Sequence, residues 1–135
     1  MSAVVIDSSA FVDTISDPYG LGQRVLDNLE NFDAWWAPEV FDAEVAQSLR
    51  HQWMRGLLTK LEFTRQITAL SELVIGRIPV TPLLGRVLSL SENVTTYDAA
   101  FIAVAELLDA PLITTDARMA RAPGPRCEFI VVQGN

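Results

Sequence analysis

Three residue types that often carry chemistry are nearly missing: the chain has one cysteine (Cys127), one histidine (His51) and one lysine (Lys60). A lone cysteine closes no internal disulfide and supplies no CxxC zinc pair. No apolar run reaches the roughly 18 residues needed to span a bilayer, so no membrane association is expected. The N-terminus shows no basic region leading into an apolar segment and a small-residue cleavage site, so the expected setting is cytoplasmic. Positive charge is scarce too: 10 Lys and Arg stand against 17 Asp and Glu, a net charge of −7. Nucleic-acid binders usually neutralise phosphates with a basic face. The balance therefore argues against that class, unless clustered acids hold divalent cations that reverse the local sign.

Repeats, low-complexity tracts and linker-like stretches are also absent from the 135 residues. That length suits one domain, expected over residues 1–135. Half of the residues are hydrophobic, enough for an independent core. The pattern alternates between strands and helices. An apolar strand is expected over 3–7, covered on both faces, with Ser8 and Ser9 able to cap the helix after it. A helix follows over about 21–31, a short strand over 35–37, and a long helix from Pro38 to about Arg55. Phe63, Ile67, Leu70 and Val74 form an apolar stripe on a helix over about 59–75, with Gly76 as its C-cap. A strand over 78–80, a helix over 82–91, a buried helix over 98–109, and strands over 112–115 and 129–132 complete the reading. Strands separated by helices imply a three-layer α/β sandwich with a central parallel sheet.

Two of the strands end on an acid. "SAVVIDSSAFVDT" runs into Asp7, and "APLITTDARMARA" runs into Asp116. In open parallel sheets the binding crevice lies beyond the carboxyl ends of the strands, so both acids are expected there. Asp98 opens the helix over 98–109. Asp7 and Asp98 are also read as helix N-caps, and Asp116 as a loop acid. On the helix that starts near Pro38, the stripe of Phe41, Val45, Leu49 and Trp53 includes Asp42 and leaves Glu44 off its centre. Periodicity does not choose Glu44. Carboxylates crowded together call for cations, and oxygen-only donors suit Mg²⁺ or Mn²⁺.

Four segments together, "VVIDSSAFVD", "APEVFDAEVAQSLR", "TTYDAAFIAVAEL" and "PLITTDARMARA", resemble the landmark segments of the PIN domain. More narrowly, they resemble VapC-type toxins of bacterial toxin–antitoxin pairs. The resemblance covers nearly the whole chain. It places an acidic quartet on Asp7, Glu44, Asp98 and Asp116, choosing Glu44 where the wheel does not. It also places the family's hydroxyl residue on Thr114, and small hydroxyl residues at Ser8 and Ser9. It implies a PIN-like fold and an endoribonuclease that hydrolyses RNA with a water activated by Mg²⁺ or Mn²⁺. Asp7 and Asp98 would then be direct ligands, Glu44 would serve a second ion or the water, and Asp116 would act through a bound water. A VapB-type antitoxin and a homodimer are the implied partners.

Around this centre, Arg50, Arg55, Arg118 and Arg121 are candidate phosphate contacts, or simply solvated charges. His51 reads as a surface position and Cys127 as structural. Phe32, Trp35, Trp36, Phe41, Trp53 and Met54 are core groups or anchors for an antitoxin segment. Two other classes stay open. A receiver-like or phosphatase-like phosphotransfer domain would want a lysine near the later strand ends or D-x-D after the first strand. A non-catalytic module would keep the fold alone.

Overall fold

The computed structural model describes residues 2–134. Its centre is a parallel sheet of five strands in the order β3-β2-β1-β4-β5. In chain order these are β1 (Ala3–Ile6), β2 (Ala34–Pro38), β3 (Gly76–Ile78), β4 (Leu112–Thr114) and β5 (Phe129–Val131). Val4, Val5 and Ile6 of β1 and Leu112 and Ile113 of β4 are fully buried, as strands covered on both faces require. Ile6 stands opposite Ile113 in the ladder, so β1 and β4 finish side by side.

Among the described residues, seven α-helices connect the strands: α1 (Ser8–Ser16), α2 (Leu21–Leu29), α3 (Val40–Met54), α4 (Lys60–Glu72), α5 (Leu84–Leu90), α6 (Thr96–Leu108) and α7 (Ala117–Arg121). The expected three-layer α/β architecture is present. α6 is the central helix anticipated from its small apolar sequence: Ala99 to Ala105 are all buried, and it packs on β1, β2 and β4. None of the described helices is long and apolar enough to cross a membrane.

Several boundaries differ from expectation. Pro38 closes β2 instead of opening α3, which starts at Val40. α4 stops at Glu72 and Leu73 is extended, so Val74 falls off the apolar stripe and is 92% exposed. Gly76 begins β3 and does not cap α4; the strand covers Gly76–Ile78, two residues earlier than expected. The reason is packing. A Cβ at Gly76 would lie 2.1 Å from the Trp36 ring, so only glycine lets β3 approach β2 beside that indole.

Candidate active site

Four elements deliver the acids. Asp7 follows β1, and its N–H donates to the Ile113 carbonyl at 3.0 Å. Asp116 comes two residues after β4 and caps α7, accepting from the Arg118 N–H at 2.9 Å. Glu44 lies in the second turn of α3. Asp98 does not cap α6: that position belongs to Thr95, whose hydroxyl accepts from the Asp98 N–H at 3.1 Å. Asp98 therefore sits inside the first turn, two residues further into the helix than the sequence suggests. Asp7, Glu44, Asp98 and Asp116 all line one pocket of ≈ 600 Å³ at the carboxyl edge of the sheet.

Hydroxyl groups hold these acids. Thr114 is fully buried. Its Oγ1 donates to Asp7 Oδ2 at 2.6 Å and accepts from the Asp116 N–H at 3.0 Å. Its single proton is thus committed to Asp7. Ser9 donates to the same Oδ2 at 2.7 Å, and Ser8 donates to Glu44 Oε1 at 3.0 Å. Ser8 and Ser9 do not cap α1 with their side chains; Asp7 holds the N-cap position and makes no side-chain cap bond. Behind Ser9 stands a layer that sequence reasoning missed. Thr115 donates to Ser9 at 3.2 Å, and the half-buried Asp13 lies beside the same hydroxyl. The available signal was the i, i+4 spacing of Ser9 and Asp13 on one face of α1.

Burial and mutual repulsion give the pocket its electrostatics. Asp7 is raised above the ordinary carboxylate range, first by burial, against which the Thr114 and Ser9 hydroxyls act. Glu44 is raised by burial, with repulsion from Asp7 and Asp98 added. Asp98 is raised by burial, then by Asp7 and Asp116. Three acids that resist ionisation and offer only oxygen donors match the chemistry of a hard divalent cation. Among the described residues, no three His, Cys, Asp or Glu side chains stand close enough to enclose a metal ion unaided. The donors fit a cation such as Mg²⁺, which keeps several waters and takes one or two carboxylates.

Other candidates fall on both sides of the line. His51 is exposed but not idle on the surface: it lines the same pocket, with Gln47 Nε2 3.0 Å from its Nε2. Of the four arginines, Arg118 lies beside the acids, 3.7 Å from Asp116. Arg50, Arg55 and Arg121 are exposed and outside the residues lining the pocket. Asp42, the acid favoured by the wheel, turns to β3 and takes a bidentate bond from Arg77 at 2.7 and 3.0 Å. Of the aromatic candidates, Phe41 is core, Trp53 stacks on Phe63 with ring centroids 5.2 Å apart, and Met54 is 60% exposed. Phe32, Trp35 and Trp36 line a separate apolar groove with Leu73 and Val74.

A parallel sheet between helices, with acids gathered where adjacent strands end, defines an α/β protein of the PIN-like class. The toxin–antitoxin complex from Klebsiella pneumoniae contains a chain of this fold, with a TM-score of 0.69 at 17% identity, covering 95% of this chain and 96% of that one. The model of the PIN domain matches residues 4–125. The chain is similar to Ribonuclease VapC1 of Mycobacterium tuberculosis, strain H37Rv, at 36% identity over 134 residues, 98% of this chain and all of the relative. It is also similar to Ribonuclease VapC12 of the same organism, at 32% identity over 130 residues, 96% of this chain and 98% of the relative. The chain belongs to the PIN domain family.

Proposed function

We propose that the chain is a metal-dependent endoribonuclease that hydrolyses RNA phosphodiester bonds as the toxin of a toxin–antitoxin pair. The observation that carries this reading is the convergence of Asp7, Glu44, Asp98 and Asp116 from four elements on one pocket. The names of its ribonuclease relatives support the substrate class.

Asp7 and Asp98 would hold a Mg²⁺ or Mn²⁺ ion, and Asp116 would assist through a bound water. Such an ion supplies positive charge opposite the scissile phosphate and lowers the pKa of a water toward neutrality. The chain's own residues do the rest. Thr114 and Ser9 fix the Asp7 carboxylate, so Thr114 is a positioning residue that acts through Asp7. Glu44 has Oε1 occupied by Ser8 and offers Oε2 to orient the attacking water or take its proton, aided by the raised proton affinity that burial gives it. Arg118, beside Asp116, can meet a phosphate away from the cut.

A VapB-type antitoxin and a second copy of the chain complete the proposal. Exposed Met54, Leu57, Leu61, Leu84 and Leu88 supply apolar surface for such partners. The phosphotransfer alternative finds little support, since the single lysine lies over the Trp53 ring at 4.2 Å and not among the pocket residues. Induced expression in a bacterial culture tests the reading. Growth arrest with new RNA ends is expected from the wild type, and normal growth from Asp98→Asn at matched protein level. Equal arrest by both would sink it.

A further inference from the structure

The pocket has a second wall to which, of the four acids, only Glu44 contributes. Along α3, Glu44, Gln47, Ser48 and His51 recur at i, i+3, i+4 and i+7, which places them on one side of the helix, and all four line the pocket. Tyr97, in the first turn of α6, lines it too and is 58% exposed. Beyond Glu44 none of these groups is acidic. Gln47 and His51 are hydrogen-bonded to each other, with Gln47 Nε2 3.0 Å from His51 Nε2 across one turn of α3. This bond sets which way the amide faces. Its second N–H and its Oε1 remain to meet a ligand that carries an acceptor beside a donor.

The chemistry of this wall selects its ligand. It offers an open aromatic face and an oriented amide, and no fixed positive charge. A phosphate belongs with the ion proposed at Asp7 and Asp98, whereas on this wall it would meet only the Glu44 carboxylate. A nucleobase is planar, uncharged and edged with adjacent donors and acceptors, the pattern an amide side chain pairs with. We propose that Tyr97, Gln47 and His51 form a base-reading subsite for single-stranded RNA: Tyr97 stacks one unpaired base next to the scissile phosphate, and Gln47, oriented by His51, hydrogen-bonds its edge. The inference rests on the pocket being an RNA-cleaving centre and adds to it. A base locked in a duplex is already stacked and paired, so the subsite selects single strands.

Two measurements test it. First, a random-sequence single-stranded RNA pool is cut by the protein with Mg²⁺, and the new ends are sequenced. Second, Asp98→Asn protein is titrated with a fluorescein-labelled single-stranded RNA in Mg²⁺, with and without a further Tyr97 substitution. The expected result is enrichment of one base at a fixed position beside the cut, flattened by Gln47→Ala while cleavage continues. Tyr97→Ala should weaken RNA binding about fivefold or more, and Tyr97→Phe and Tyr97→Trp should restore it, because each keeps a stacking face. Enrichment unchanged by Gln47→Ala, or binding unchanged by Tyr97→Ala, would overturn the subsite. A wild type that cuts nothing in the pool would instead overturn the ribonuclease reading, and the binding titration alone would then judge the subsite.

Discussion

Two acidic regions at opposite edges of the sheet are treated in opposite ways. At the amino edge, a cavity of ≈ 550 Å³ is lined by Glu106, Asp109, Glu128, Arg126 and Cys127. Glu106 is pinned there by Arg86 at 2.7 and 3.0 Å and by the Arg126 N–H at 2.8 Å. Burial opposes its ionisation, but those donors outweigh burial and hold its carboxyl below the usual range. At the carboxyl edge, Asp7 accepts from the Thr114 and Ser9 hydroxyls and Glu44 from Ser8, Arg118 acts on Asp98 only as the smallest of its influences, and all three acids are raised. Where an acid serves the fold, an arginine is supplied; Asp42 with Arg77 repeats the arrangement. Of the four pocket acids, Asp116 has only the 88% exposed Arg118 beside it at 3.7 Å, a far looser pairing than those of Glu106 and Asp42.

The sharpest way to break the contrast is to remove one unneutralised acid. Asp98→Asn should lower RNA cleavage at least about a hundredfold, since losing a ligand costs no less than losing a group that orients one. The metal-free variant should melt no lower than the wild type, because one member of a repelling set has gone. Steady-state cleavage and a thermal melt check both halves. Next comes the support beneath the acids. Thr114→Val keeps shape but removes the hydroxyl that holds Asp7, and should weaken Mn²⁺ binding about 10- to 100-fold.

At the other edge the signs should exchange. Arg86→Ala strands Glu106, whose side chain is only 16% exposed. It should cost about 2 kcal/mol of stability, a fall of about 6 °C in the melting midpoint, with cleavage at permissive temperature unchanged. The smallest effect concerns Cys127, whose thiol is pushed up to about 11, first by burial. Its folded-state value lies above the unfolded one, so the stability tied to the neutral thiol is intact below about 9 and lost as pH rises toward about 11. Alkylation by iodoacetamide at pH 8 should accordingly be at least about tenfold slower in the native protein than in urea.

How much of this was legible in the sequence follows the same division. β1 and β4 announce themselves, because strands buried on both faces are continuous apolar runs and an acid at their tip breaks the run abruptly. Asp7 and Asp116 could thus be placed from pattern alone. Glu44 could not. A helical wheel finds the core stripe, and Asp42 lies within it because it turns toward Arg77 on β3, a contact 35 residues away. Glu44 lies on the flank that meets the strand ends, and only the sheet order determines where that flank points. β3 was displaced by two residues because its start depends on the Trp36 ring beside Gly76, a tertiary fact. The Asp13–Thr115–Ser9 layer and the pocket-facing His51 were hidden likewise, since each depends on which way a helix is rolled against the sheet.

Calorimetric titration of Mn²⁺ into the wild-type protein and into Asp98→Asn tests the central claim most directly. Saturable heat from the wild type, with binding much weaker in the variant, is the expected result. No binding by the wild type, or equal binding by both proteins, would contradict the assignment of the four carboxylates to a metal centre.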